Sequence, residues 1–287
     1  MTENMGIDEF ALKIRQEVLK MACHANGGHI APAYSMTDII SVLYFDNVLR
    51  YNEKNPNWDD RDMFILSKGH GVLALYAALS IAGYFPIEEL TSFCKPGSRL
   101  GSLAKYGSVP GIEATTGSLG HGLSYAVGIA LANKIDKNDS KTYVLLGDGE
   151  CEEGSVWEGF LSASHHRLDN LVVIIDNNKL QAMGSVESIL SIQNFPEKLG
   201  AFGFSVEDID GHDYQAIKRA LLYKEKDKPR AIVANTIKGK GISFMENTPI
   251  WHYRIPDEVE IEVALKELKM TREELGIYEN SLFRNII

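Results

Sequence analysis

The chain has 287 residues, 45% hydrophobic and 24% charged, enough for one large domain or two modest ones around a sizeable core. Its formal net charge of -10 excludes bulk attraction to nucleic acid or an anionic membrane, and leaves open only a local anion site at a helix end or a metal. Three scattered cysteines (Cys23, Cys94 and Cys151), a first segment without a secretory pattern and the lack of any membrane-length apolar run lead us to expect a soluble cytoplasmic protein.

Residues 8–24 carry apolar side chains at helical spacing and predict a first helix, ended by the paired glycines of ANGGH. A second helix is predicted over 35–49, with Ser35 as its N-cap and Asp38 three residues on. Residues 51–62 read as a loop. DMFILS reads as a short strand, KGHG as a break and residues 72–84 as a helix; Pro86 opens a further short helix. Residues 94–117 form a long glycine-rich loop of a kind that is often functional. A helix over 118–136 precedes the strand KTYVLLGDG, a helix over 155–168 and the strand NLVVIIDNN. SVEDID receives no assignment. A helix around 213–223 and the strand PRAIVANTIKG follow, and the acidic stretch 258–276 reads as a solvated amphipathic helix. Continuous apolar strands alternating with helices predict an α/β fold, a mostly parallel sheet with helices on both faces. Ligands of such sheets bind beyond the C-terminal strand ends, where Asp148 and Asn178 fall.

Those two residues suggest a chemistry. Asp148 offers one carboxylate, Asn178 a neutral oxygen and the backbone near Leu180 a third, a set suited to Mg²⁺ or Ca²⁺ rather than zinc. Phosphate oxygens would complete the shell. Gly147 and Gly149 allow close backbone approach to a diphosphate, and the helix starting near Ser155 can turn amides toward it. A GDG triplet alone is as readily a plain turn. A Rossmann site is the competitor, but G-x-G-x-x-G is missing and acidic residues stand where that fingerprint needs small ones.

The segment GDGECEEGSVWEGFLSASHHRLDNLVVIIDNN resembles the thiamine diphosphate motif, a GDG and an NN about thirty residues apart. In order along the chain, GGHIAPAYSMTDI, LSKGHG, PGIEATTGSLGHG, NTIKGKGISFMEN and WHYRIPD resemble successive blocks of the transketolase N-terminal domain. The resemblance covers nearly the whole chain. It implies a thiamine-diphosphate-binding fold, with Asp148, Asn178 and the Leu180 carbonyl on Mg²⁺ (or Ca²⁺) and Asp176 in a structural role. It places Gly117 and Leu119 against the cofactor rings, Gly147, Asp148, Gly149 and Asn178 around the diphosphate, and Glu153 in a carboxylate network across a subunit contact. As a bare feature Glu153 is equally a helix N-terminal charge. Of the eight histidines, the resemblance puts His29, His70 and His252 at the catalytic centre, His70 also on the cofactor, where a neutral imidazole can pass a proton. The remaining ones, such as His165 and His166, read as surface or structural.

Two departures stand out. A family histidine falls on Leu103 and a family arginine on Cys94; Lys95, Arg99 and Lys105 are nearby candidates to substitute. HPGAP becomes HIAPA, with Ala31 and Pro32. We expect residues 1–287 to form one diphosphate-binding domain, with 253–287 as a C-terminal helical extension. The pyrimidine-binding and C-terminal domains, with the glutamate that activates the cofactor, are expected on a partner chain, in a dimer of such pairs. The expected activity is transfer of a two-carbon ketol unit from a ketose, often phosphorylated, to an aldose. A pathway-specific ketol transferase, another thiamine diphosphate enzyme acting on different substrates, and a non-catalytic regulatory subunit remain the alternatives.

Overall fold

The computed structural model describes residues 5–276. Five parallel strands, β1 (Met63–Leu66), β2 (Thr142–Gly147), β3 (Leu171–Asn177), β4 (Ser205–Asp210) and β5 (Arg230–Asn235), lie in the order β1-β2-β3-β5-β4. The connecting helices are α1 (Ile7–Ala25), α2 (Ile30–Ser35), α3 (Thr37–Phe45), α4 (Val72–Ile81), α5 (Gly122–Ile135), α6 (Gly154–His165), α7 (Val186–Leu190), α8 (Phe195–Ala201), α9 (Tyr214–Leu222), α10 (Glu258–Glu267) and α11 (Arg272–Leu275).

The unbroken apolar strands have a simple cause. Successive side chains point to opposite faces, and both faces are covered. Phe64, Tyr143, Leu145, Val172, Ile174 and Ile232 pack into the core beneath α1, α3 and α4. Ile65, Val144, Leu146, Val173, Ile175 and Val233 face the second core, with α5, α6 and α8. Helix α4 is apolar all round because it is enclosed: Val72 through Leu79 are all buried. The expected parallel α/β sheet with helices on both faces is therefore present.

Two expectations change, and one unassigned segment finds its place. Ser35 does not cap a helix; it is the last residue of α2, and its hydroxyl donates to Pro32 O and to Asp176. SVEDID is the edge strand β4. Only Ser205 and Ile209 of it are buried, so its polar composition is that of a half-covered edge. The acidic stretch after 257 is two helices, not one, and is docked rather than solvated. Ile261, Ala264, Leu265, Leu268 and Leu275 join the α1–α4 core, and Gln16 donates to Leu268 O at 2.9 Å. Residues 277–287 of the expected extension lie outside the described residues.

Candidate active site

The site is built at the C-terminal ends of neighbouring strands. Gly147 of β2 pairs with Asp176 of β3, so the residues that follow each strand emerge side by side. Asp148 accepts from the Gly149 amide at 2.8 Å and from the Lys179 amide. Lys179 has φ +65°, an uncommon left-handed conformation for a side-chain-bearing residue, and this turn brings its amide to Asp148. Asn178 Oδ1 accepts from Leu180 N at 3.1 Å, and Asn178 Nδ2 donates to Asp176 at 3.3 Å.

A cavity of ≈ 360 Å³ opens over these ends, within the size range of small-molecule sites. It is lined by His29, His70, Gly117, Leu119, Gly147, Asp148, Gly149, Asn178, Leu180 and His252, so every expected site residue but Glu153 meets here. Glu153 is exposed where α6 begins and is not among the lining residues. Leu103 also lines the cavity, and a Cβ added at Gly117 (φ +126°) would lie 2.7 Å from it. Of the candidates to substitute for the family histidine, Arg99 is paired with Glu89 at 2.6 Å. None of Lys95, Arg99 and Lys105 lines the cavity.

The three imidazoles form a triangle, with ring centroids 5.3 Å apart on each side. Burial, then the charge of Lys238, pushes His29 down to about 4 and His252 down to about 3. Burial, then Lys68, holds His70 well below the usual histidine range. All three are neutral at neutral pH. His29 Nδ1 is buried and meets no hydrogen-bonding group among the described residues.

Three charged residues at the site are not marked by the sequence pattern. Lys68, 1% exposed, pairs with Asp176, which also accepts from Ser35 and Thr236. Burial alone would raise Asp176; Lys68 and the hydroxyl donors outweigh it and hold the carboxyl below its ordinary value. Lys238, 2% exposed, donates to Leu180 O at 2.9 Å and Gln181 O at 3.2 Å, with His252 Nδ1 at 2.9 Å. Burial pushes it down to about 8. Glu150 gathers Ser67, the Gly120 amide (2.9 Å) and the Gly147 amide (3.1 Å), which ties the 117–120 turn to the end of β2. Lys68 and Lys238 lie inside LSKGHG and NTIKGKG, but nothing in their local pattern distinguishes a buried lysine from a surface one. Asp148 stands where the sequence places it, but its state is a further finding: burial, then the nearby Asp176, pushes it up to about 6.

The residues fit a metal-clamped diphosphate. No cluster of three or more His, Cys, Asp or Glu among the described residues could hold a metal. A cation here would rest on one carboxylate and neutral oxygens, which leaves part of its shell to an anionic ligand. Two buried ammoniums and an unpartnered imidazole nitrogen belong to residues that line the same cavity. An added Cβ at Gly149 would lie 2.8 Å from the Gln181 side chain, so a larger residue there would push Gln181 aside.

Comparison with known proteins gives the family. Residues 8–283 match the family model described as transketolase, thiamine diphosphate binding domain. An apulose-4-phosphate transketolase subunit from Actinobacillus succinogenes is 40% identical over 271 residues, covering 93% of this chain and 98% of that one. A 6-deoxy-6-sulfo-D-fructose transketolase subunit from Clostridium sp. is 40% identical over 269 residues, with 93% and 98% covered. The solved transketolase from Leishmania mexicana superposes with a TM-score of 0.88 at 32% identity, over 96% of this chain and 43% of that chain. The present chain thus spans less than half the length of that transketolase, and nearly all of the subunit-type relatives.

Proposed function

Since the chain belongs to the transketolase family through the thiamine diphosphate binding domain, we propose that it is one subunit of a split, pathway-specific ketol transferase. It moves a two-carbon ketol unit from a non-standard ketose or ketose phosphate to an aldose, and works only with a partner subunit that holds the remaining domains. The single observation that carries this reading is the cavity over Asp148 and Asn178, lined by three neutral imidazoles and by Leu103. Two features favour the pathway-specific form over an ordinary transketolase: the relatives named for apulose 4-phosphate and 6-deoxy-6-sulfofructose, and Leu103 where the sequence resemblance places a family histidine. A leucine cannot hydrogen-bond a sugar hydroxyl.

When bound, thiamine diphosphate supplies an electron sink for cleavage of the ketose carbon–carbon bond. Asp148, Asn178 and the Leu180 carbonyl would hold its Mg²⁺ or Ca²⁺. Gly147, Gly149, His70 and Lys238 would border the diphosphate, and Gly117 with Leu119 would seat the rings. His29, His70 and His252, all neutral, can accept or give a proton at a substrate hydroxyl. Glu153, exposed at the start of α6, would reach a neighbouring subunit. We take residues 1–287 as one domain, with its partners in a dimer of heterodimers.

The test is donor profiling. The chain is purified with its native partner, and cleavage of xylulose 5-phosphate, fructose 6-phosphate, apulose 4-phosphate, 6-deoxy-6-sulfofructose and pyruvate is compared. Preference for one of the modified sugars supports the reading. Preference for xylulose 5-phosphate returns the chain to ordinary transketolase activity, and turnover of pyruvate alone removes it from ketol transfer.

A further inference from the structure

The loop that follows β5 is held from behind by a buried polar cluster. Arg15 of α1, 7% exposed, forks onto Asp38 of α3 with bonds of 2.9 and 2.8 Å, and its Nε donates to Lys240 O at 2.9 Å. Asp38 Oδ2 lies 2.7 Å from His212 Nδ1, and Tyr214 donates to Asp38 Oδ1 at 3.3 Å. His212 Nε2 receives the Ile237 amide at 2.8 Å.

These partners assign the imidazole. A backbone amide can only donate, so Nε2 carries its lone pair. An ionised carboxylate can only accept, so Nδ1 carries the proton. Arg15 and His212 together hold Asp38 down to about 2 against the upward push of burial, so the carboxylate is ionised and the tautomer is fixed. Two backbone atoms of one short loop, Ile237 N and Lys240 O, are thereby pinned from α1, α3 and the β4–α9 turn. Between them stands Lys238, whose ammonium reaches Leu180, Gln181 and His252 in the cavity. Arg15, Asp38 and His212 do not line that cavity.

We infer that Arg15, Asp38 and His212 form a positioning relay that sets the Lys238 loop, and through it the anion-binding side of the cavity. His212 is a positioning residue here, acting on the ligand only through Lys238. This rests on the proposed diphosphate site for its functional consequence, and on the hydrogen bonds alone for its structural one.

The two parts are separated by using two readouts on the full chain. Residue-resolved amide exchange follows Ile237, and calorimetry follows binding of inorganic pyrophosphate with Mg²⁺. His212→Asn keeps the donor to Asp38 and loses the acceptor at Nε2. It is expected to speed Ile237 exchange about tenfold, the worth of one hydrogen bond, with the urea midpoint lowered by no more than that same one bond. Pyrophosphate affinity should fall toward that of Lys238→Met, with no further loss when the two are combined. His212→Gln, whose longer amide reaches the Ile237 N–H, should restore both. Ile237 exchange as slow as wild type in His212→Asn, or faster exchange with pyrophosphate affinity intact, overturns the relay. If wild type binds no pyrophosphate, the diphosphate reading fails, and Ile237 exchange alone then decides the relay. If His212→Asn does not fold, Arg15→Lys, which releases the Lys240 carbonyl but keeps the Ile237 bond to His212, is put through the pyrophosphate titration; affinity should fall toward that of Lys238→Met, and wild-type affinity there overturns the proposal.

Discussion

The Lys238 ammonium donates to the Leu180 carbonyl oxygen at 2.9 Å, the oxygen expected to bind the metal. On the proposed metal set, like charges of an ammonium and a divalent cation would meet at one oxygen, a repulsion that an anion between them relieves. Lys238→Met should bind Mn²⁺ alone more tightly than wild type. The same variant should bind Mg²⁺–thiamine diphosphate about 10–100-fold more weakly, because a charge-assisted contact of roughly 1.5–3 kcal/mol is lost. Paramagnetic titration and calorimetry check the two signs, and equal shifts in the same direction refute the repulsion.

Asp148 is the one carboxylate of the proposed metal set, and its remaining partners are neutral. Asp148→Ala should leave the fold and partner assembly intact while abolishing cofactor-dependent activity. Size-exclusion chromatography of the pair and turnover at saturating cofactor test this, and surviving activity removes Asp148 from the metal.

Asp38 links acid stability to the relay. Its folded-state value of about 2 lies below the ordinary carboxylate value. A depressed value contributes stability that is present above the unfolded value and lost as pH falls, so the window runs from about pH 4 to pH 2. The contribution at neutral pH is roughly 2–3 kcal/mol. Asp38→Asn also strands the buried Arg15 charge and should cost about 3–5 kcal/mol at pH 7, with the gap to wild type narrowing below pH 4. Urea unfolding of both proteins from pH 7 to 2 measures it, and a gap independent of pH sinks the assignment.

Gly117 adopts φ +126° with Leu103 packed where a Cβ would stand. Gly117→Ala forces strain and a clash in the turn that borders the cavity, on the order of 1–3 kcal/mol. Weaker cofactor binding with modest loss of stability is the expected result. Leu103→His relieves no clash, but gives the wall a hydrogen-bonding group. Donor profiling should then shift toward the unmodified ketose phosphates, and an unchanged profile separates Leu103 from specificity.

The docked tail is testable without any ligand. Ile261 is fully buried against the α1–α4 core. Ile261→Ala should destabilise by about 2–5 kcal/mol, the usual cost of truncating a large core side chain, whereas a solvated helix would lose almost nothing. Thermal unfolding of the variant distinguishes the two.

Much of the molecule is readable from local pattern. Strands β1, β2, β3 and β5 announce themselves because burial on both faces demands unbroken apolar runs, and the turns after them need glycine, aspartate and asparagine. The positions of Asp148 and Asn178 follow from that alone, and the resemblance of the blocks around them adds the cofactor. Strand β4 is not readable, since it buries only Ser205 and Ile209, too few to show a period, whereas the other edge strand, β1, buries three of its four residues. The tail misleads for the opposite reason: its charged face dominates the pattern, while Ile261, Ala264 and Leu265 make a narrow stripe that joins a core built from residues far away in sequence. The tertiary structure alone decided which lysines are buried, because Lys68 meets Asp176 and Lys238 meets Leu180 across 108 and 58 residues. It also decided that His212 reaches Asp38 across 174 residues, and that Glu150 binds the loops together. Local sequence specifies conformation and period. A charge buried among distant neighbours acquires its role only when the chain has closed around it.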